Sequence, residues 1–338
     1  MHLILIAKAS SEVTSTASIY HHRITKAWRQ HGGAAELISL NGPIHPDFTR
    51  SLPEGTLIVV DGAALGLIEA IIGPLQARGA GALIHHPTPL APGTSTDLQT
   101  EMKSLERRYL PRFRCVGATS ALVATRLEQE FGVDAARIRV VNPGIDKQEQ
   151  RIIRPDRPDG APCHLLTLGT MSYHKGHDVV LNALATLSDL DWHLTLAGPP
   201  RDRAYFSDLK ALIQRLDIGD RVELHGELRG PEMEANWQQA EIFALATRFE
   251  GFGATIAEAM ARGLPVAITA GGAAADLVTP ACGVVAPVDN TAEFAKGLRR
   301  LIFSAALRSD LGKNAFIRAQ DFPDWLAQAD RLLAALTR

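Results

Sequence analysis

Glu250 and Glu258 flank a glycine-rich segment, Gly251-Phe252-Gly253-Ala254-Thr255, and residues of these types in this order suit recognition of an anion beside hydroxyl groups. A strand is predicted to end near Ala246, a loop to follow, and a helix to begin at Ala254. Glycines at 251 and 253 let the backbone approach a ligand closely. Free amides and the positive dipole at a helix start favour a phosphate. A carboxylate aimed at that phosphate would repel it, so Glu250 in the loop and Glu258 one turn into the helix are better used on hydroxyls. A ribose and a sugar supply such hydroxyls, which describes a nucleotide-sugar site. Taken alone, Glu250 reads as an exposed loop carboxylate and Glu258 as a helix-surface charge. The flanking pattern, ending at Gly263-Leu264-Pro265, favours the functional reading.

Three other groups carry candidate chemistry. Lys175 sits between His174 and Gly176 at a loop-to-helix junction, where a lysine offers a diphosphate a mobile point charge. His85 and His86 end an apolar strand just before Pro87. Asp189-Leu190-Asp191 is the sole Asp-x-Asp. It precedes a strand, whereas ligands of open α/β sheets bind at the carboxyl ends of strands. It therefore reads as a solvated turn, and no divalent metal is expected to be required.

These residues need a scaffold of short apolar strands alternating with amphipathic helices. Strands are predicted at Leu3–Ala7, Ala35–Ser39, Leu57–Asp61, Ala82–His85, Cys115–Ala118 and Ile138–Val141. The rhythm restarts at His164–Gly169, His193–Ala197, Val222–His225, Ile242–Ala246, Val266–Thr269 and Gly283–Val285. Helices lie between, for example at Ala17–Gln30, Ser120–Phe131, His177–Leu187, Tyr205–Leu216 and Ala254–Arg262. Continuous apolar strands without alternation suit a parallel sheet covered on both faces. The fold class is α/β, with two doubly wound, Rossmann-like domains facing a cleft. The first domain spans residues 1–147. Residues 148–162 are polar, carry three prolines and suit a linker. The second domain spans 163–318. Residues 319–338 end in an amphipathic helix that either closes the second domain or crosses back to the first.

Composition sets the outer bounds. The 338 residues suit two domains. A net charge of −2 gives no sign of a nucleic-acid partner, and the basic group Lys103, Arg107 and Arg108 reads as a solvated helix face. Cys115, Cys163 and Cys282 are too scattered for a zinc site or a disulfide framework. The apolar start at Met1–Lys8 is too short to span a bilayer and is a poor signal peptide. A cytoplasmic protein is expected, with contact at the inner face of the membrane left open.

The segment from Glu250 to Glu258 resembles the Glu-x7-Glu motif of retaining glycosyltransferases of the GT-B fold, family 4 type (glycosyl transferases group 1). The resemblance runs through most of the second half, in Leu168-Gly169, Lys175-Gly176 and Asp178, Leu196-Ala197-Gly198, Asp220–Gly226, Gly271-Gly272 and Gly283–Pro287. In the first half Ala82–Pro87 and Val140–Asp146 also look familial. The resemblance implies that Glu258 binds the ribose hydroxyls and Glu250 the hydroxyls of the donor sugar. The backbone at Gly251–Ala254 would hold the sugar and diphosphate, and Lys175 would neutralise the leaving diphosphate. Gly169, Thr170, Gly198, Gly226 and Thr255 join the donor-binding set. One histidine of the first domain, His85 rather than His86, would lie near the sugar.

Two departures stand out. The family usually has an arginine soon after the glycine matching Gly169; here Thr170 follows, and no arginine precedes Lys175. Arg201, Arg203 or His174 are the candidates to compensate. The family also often has a glycine pair after the first strand, where Ser10–Ala17 offers hydroxyls instead. The implied reaction moves a sugar from a nucleotide-diphosphate sugar, UDP- or GDP-linked, to a carbohydrate or lipid-linked acceptor hydroxyl, with retention of anomeric configuration and no cofactor. Domain closure would exclude water. The competing readings are a non-catalytic partner that binds a nucleotide sugar, and a nucleotide-sugar epimerase. A dinucleotide dehydrogenase is not favoured, because no G-x-G-x-x-G follows the first strand.

Overall fold

The computed structural model describes residues 1–9, 16–90, 95–152 and 160–337. Part of the expected linker and most of the hydroxyl-rich Ser10–Ala17 segment lie outside that range. The chain divides into two compact units, Met1–Gly144 with Pro323–Arg338, and Ile145–Phe322.

The first unit is built on strands β1 (His2–Lys8), β2 (Ala34–Leu40), β3 (Leu57–Asp61), β4 (Gly81–Ile84), β5 (Val116–Ala118) and β6 (Ile138–Val140). They form one parallel sheet in the order β2-β1-β3-β4-β5-β6. Leu3, Leu5 and Ile6 of β1 are fully buried, as a strand covered on both faces must be. Helices α1 (Thr16–Gln30), α2 (Phe48–Ser51), α3 (Ile72–Ala77), α4 (Thr96–Tyr109) and α5 (Ala121–Phe131) connect them. The apolar run Leu65–Ile72 goes to the core, with Leu65, Ile68, Ile71 and Ile72 all buried.

The second unit repeats the design. Its strands are β7 (Cys163–Leu168), β8 (Trp192–Ala197), β9 (Val222–His225), β10 (Ile242–Leu245), β11 (Val266–Thr269) and β12 (Gly283–Ala286). They pair in parallel in the order β12-β11-β10-β7-β8-β9. Its helices are α6 (His177–Ala185), α7 (Arg203–Arg215), α8 (Gly230–Gln239), α9 (Ala254–Ala261), α10 (Thr291–Phe303) and α11 (Ala305–Gln320). The two parallel six-stranded sheets are the doubly wound α/β architecture that the strand rhythm implied.

After Phe322 the chain joins the first unit. Asp324 caps the last helix, α12 (Trp325–Thr337), by accepting from the Ala327 amide at 2.8 Å. Ala329, Leu332, Ala335 and Leu336 of α12 share a core with Tyr20, Ile24 and Trp28 of α1. Among the described residues no helix is long and apolar enough to cross a membrane. The three cysteines are free and buried.

Candidate functional site

In the second unit β7 and β10 are neighbours, yet the chain runs outward from β7 through β8 and β9 and outward from β10 through β11 and β12. That reversal is a topological switch point, the place where ligands of open α/β sheets bind, beside the carboxyl ends of the two central strands. The loop after β7 carries Gly169, Thr170 and Lys175. The loop after β10 carries Glu250 and the glycines that lead into α9.

The two loops meet in an ion pair. Lys175 Nζ donates to Glu250 Oε1. Lys175 is 8% exposed and Glu250 7%, so neither is the solvated charge that its type alone would suggest. The backbone locks this contact. Thr247 Oγ1 donates to the His174 carbonyl at 3.0 Å, and the Arg248 amide donates to the same oxygen at 2.7 Å. Arg248 clamps from outside, with hydrogen bonds of 2.9 and 2.8 Å to the Asp178 carboxylate, 2.7 Å to Asp289 and 2.7 Å to the Tyr173 carbonyl. Its guanidinium also lies 3.9 Å from the centre of the Tyr173 ring. Burial opposes the Asp178 charge, but the bonds from Arg248 and Tyr205 outweigh it and hold that carboxyl below the usual range.

Gly176 makes the fit possible. Its φ is +65°, and a Cβ there would run into the Ala246 carbonyl oxygen. Gly176→Ala is therefore expected to destabilise the protein by more than about 2 kcal/mol, since left-handed strain adds to a backbone collision. Thermal denaturation checks this; an unchanged midpoint would mean the two loops are not packed as described.

From the other side, the Glu250 amide donates to the Gly271 carbonyl at 3.2 Å and the Glu250 carbonyl accepts from Ala273 at 2.8 Å. Gly272, with φ +66°, leaves room for that approach, because a Cβ would strike the Glu250 backbone. Gly251, Phe252 and Gly253 then lead into α9, whose N-cap is Gly253 with no side-chain cap. Phe252 is buried in the core of this unit, so that only its backbone is available to a ligand. The amides of Ala254, Thr255 and Ile256 form the first turn, where a helix has no internal acceptors to offer. Glu258 is half-buried one turn on, on the same face as Ala254.

Gly169, Gly198 and Gly226 step across the carboxyl ends of the next strands. The Gly169 amide donates to Ala197 at 3.0 Å and the Gly198 amide to Gly226 at 2.9 Å. Thr170, where an arginine was expected, joins a chain of contacts: its hydroxyl lies 3.1 Å from Ser172 Oγ, which lies 3.2 Å from His174 Nδ1. His177 Nε2 lies 3.0 Å from the Thr170 carbonyl. Burial pushes the His177 imidazole down to about 4, so it is neutral near pH 7. The Asp-x-Asp lies before β8, and Asp189 is held by Arg299 through two 2.7 Å bonds.

His85 and His86 belong to the first unit and diverge there. His86 is exposed, while the His85 side chain is 15% exposed. His85 Nε2 lies 3.2 Å from His21 Nε2 and 3.3 Å from Asp61 Oδ2, and His21 Nε2 lies 3.0 Å from the same oxygen. Burial opposes the Asp61 charge, but the bonds from His21 and His85 hold its carboxyl well below the ordinary range. Neither His21 nor Asp61 stands in a recognisable motif of the sequence. The available signal was a histidine on the buried stripe of α1 with Tyr20, Ile24 and Trp28, and an aspartate closing an apolar strand.

Two parallel, doubly wound units, with a glycine-loosened helix start at the switch point of the second, define a GT-B architecture. The solved sucrose-phosphate synthase from Thermosynechococcus elongatus superposes with a TM-score of 0.80 at 20% identity, covering 98% of this chain and 97% of that one. Anabaena HepE, solved in complex with UDP-glucose, gives 0.78 at 18% identity, covering 99% of each chain. The chain belongs to the glycosyl transferases group 1, whose family model matches residues 149–318, and a Glycosyltransferase Family 4 model matches residues 74–149. A D-inositol 3-phosphate glycosyltransferase from Pseudarthrobacter chlorophenolicus is 28% identical over 238 residues, 65% of this chain and 56% of that protein.

Proposed function

We propose that the protein transfers a sugar from a nucleoside diphosphate sugar to an acceptor hydroxyl, with retention of anomeric configuration. The observation that carries this reading is the buried Lys175–Glu250 pair at the switch point, next to the uncapped start of α9. The α9 amides take the diphosphate, and Lys175 offsets the charge that grows on it as it leaves. Glu250 engages the sugar hydroxyls and Glu258 the ribose. The anomeric C–O bond to phosphate breaks as the acceptor oxygen bonds to that carbon, and the acceptor proton passes to the departing phosphate oxygen. The protein contributes position and charge, and no divalent metal bridges the diphosphate.

A UDP-sugar is the first donor to test, because HepE was solved with UDP-glucose. A GDP-sugar is the second. Inositol phosphate and sugar phosphates are the first acceptors, because relatives carry such names, and lipid-linked acceptors form the second panel. The reaction is placed in the cytoplasm, reaching lipid-linked acceptors at the inner membrane face.

Labelled UDP- and GDP-sugars incubated with these panels should give glycosylated product, and slow release of free sugar without acceptor. Binding with no turnover of any donor would overturn the reading. Transfer is expected to survive EDTA. Activity lost to the chelator and regained with magnesium or manganese would remove the metal-free step alone.

A further inference from the structure

His21, Asp61 and His85 are the one group of metal-competent side chains found among the described residues, and all three sit at the carboxyl end of the first sheet. That end has its own switch point. β1 and β3 are neighbours while the chain runs outward on both sides. Asp61 closes β3, His85 directly follows β4, and His21 comes from α1, the helix after β1. The position is the counterpart of the Lys175–Glu250 pair in the second unit, but it carries a different chemistry.

Three ligand atoms stand 3.0, 3.2 and 3.3 Å apart. Atoms bound about 2.0–2.1 Å from one tetrahedral ion are separated by about 3.3 Å, so the triangle has the size of three tetrahedral vertices. As a hydrogen-bond network it is poor. Only Asp61 Oδ2 faces both nitrogens, and two Nε2–H groups 3.2 Å apart would set their dipoles side by side. A cation would use all three lone pairs at once.

The surroundings fix the ligands. Asp61 Oδ1 accepts from the Ala63 amide at 2.8 Å, which turns Oδ2 toward the imidazoles. The Tyr20 ring packs edge-on against His85 at 5.0 Å and against His21 at 6.4 Å, and Tyr20 Oη donates to the Val141 carbonyl at 3.2 Å. His21 and Asp61 are buried, and the His85 side chain is 15% exposed.

We propose that His21, Asp61 and His85 bind one divalent transition-metal ion of the zinc class, with the fourth position left to water or a ligand oxygen. Two imidazoles and one carboxylate select such an ion over calcium or magnesium, which take oxygen ligands. The site lies wholly within the first unit and does not depend on the transfer reading.

The full-length protein, stripped with EDTA and dialysed, is titrated with Co²⁺. A visible band should saturate at one equivalent, and Zn²⁺ should displace it. Zn²⁺ should also raise the melting temperature. Asp61→Asn and His21→Gln keep size and hydrogen bonding, and each should weaken binding by at least about 100-fold, since even outer partners contribute 10–100-fold. His225→Gln, in the more exposed grouping with Glu223 and His193, should leave the band intact. No saturable band in the wild type, a band that survives both Asp61→Asn and His21→Gln, or one lost in His225→Gln overturns the proposal. Should the variants not fold, X-ray absorption at the zinc edge of the wild type decides: two imidazoles support the site, and an all-oxygen or four-histidine shell refutes it. None of these measurements reads turnover, so a failed metal site and a failed transferase reading are separable.

Discussion

Glu250→Ala is expected to lower sugar transfer by about two to three orders of magnitude and folding stability by about 3–5 kcal/mol. The second effect follows from burial. Removing the carboxylate leaves the Lys175 ammonium, 8% exposed, without its counter-charge. Lys175→Met should cost a similar amount for the mirror reason. The double variant Lys175→Met/Glu250→Leu should recover most of the lost stability, because a packed apolar pair often equals a buried ion pair. It should nevertheless stay inactive, because both the point charge for the diphosphate and the acceptor for sugar hydroxyls are gone. Denaturant midpoints of the wild type, Lys175→Met, Glu250→Leu and the double variant give the coupling energy, and steady-state kinetics on these and on Glu250→Ala give the transfer loss. If Glu250→Ala leaves donor affinity and turnover untouched, the assignment of Glu250 is wrong even where the stability cycle behaves as described.

Local pattern marks the candidate segment around α9 in the sequence itself. Gly251, Gly253, Glu250 and Glu258 lie within nine consecutive residues, and a strand, a loop and a helix in that order leave few ways to arrange them. The strands were readable for a similar reason: runs such as Leu3–Ala7 are apolar on both faces, which only a covered parallel strand accepts. The Lys175–Glu250 pair was not readable as a pair. It joins loops 75 residues apart in sequence, and only the β7–β10 neighbourhood brings them together. The same holds for Arg248, two residues before Glu250, whose reach to Asp178 in the first turn of α6 and to Asp289 beyond β12 depends on the fold of the whole unit. His21, Asp61 and His85 mark the far end of this scale. Two strand ends and a helix converge on them, each residue is ordinary in its own segment, and only the order of β1, β3 and β4 in the sheet places them side by side. Helix ends shifted by a few residues where a cap or a proline decided: α7 begins at Arg203 because Asp202 caps it, accepting from the Tyr205 amide at 3.0 Å, and α12 waits until Trp325, beyond Pro323.

Glu106→Gln is expected to stabilise the protein at pH 8 by about 3 kcal/mol and to leave it nearly unchanged at pH 4. Glu106 lies on α4 and is 1% exposed. Its Oε1 accepts from the Thr88 amide at 2.9 Å, while its Oε2 has no hydrogen-bond partner. Burial drives the carboxyl up from 4.5 to about 7, against the smaller opposing effect of the Thr88 bonds. The sign follows from proton counts. Between those two values the folded state keeps a proton that the unfolded chain has released, so stability falls as pH rises through the window and is level on either side. Glutamine keeps an acceptor for the Thr88 amide and has no charge to bury, so its stability should not fall in that interval. Urea midpoints for both proteins at pH 4, 6 and 8 test this. A difference that is the same at pH 4 and pH 8 would show that ionisation of Glu106 is not its source.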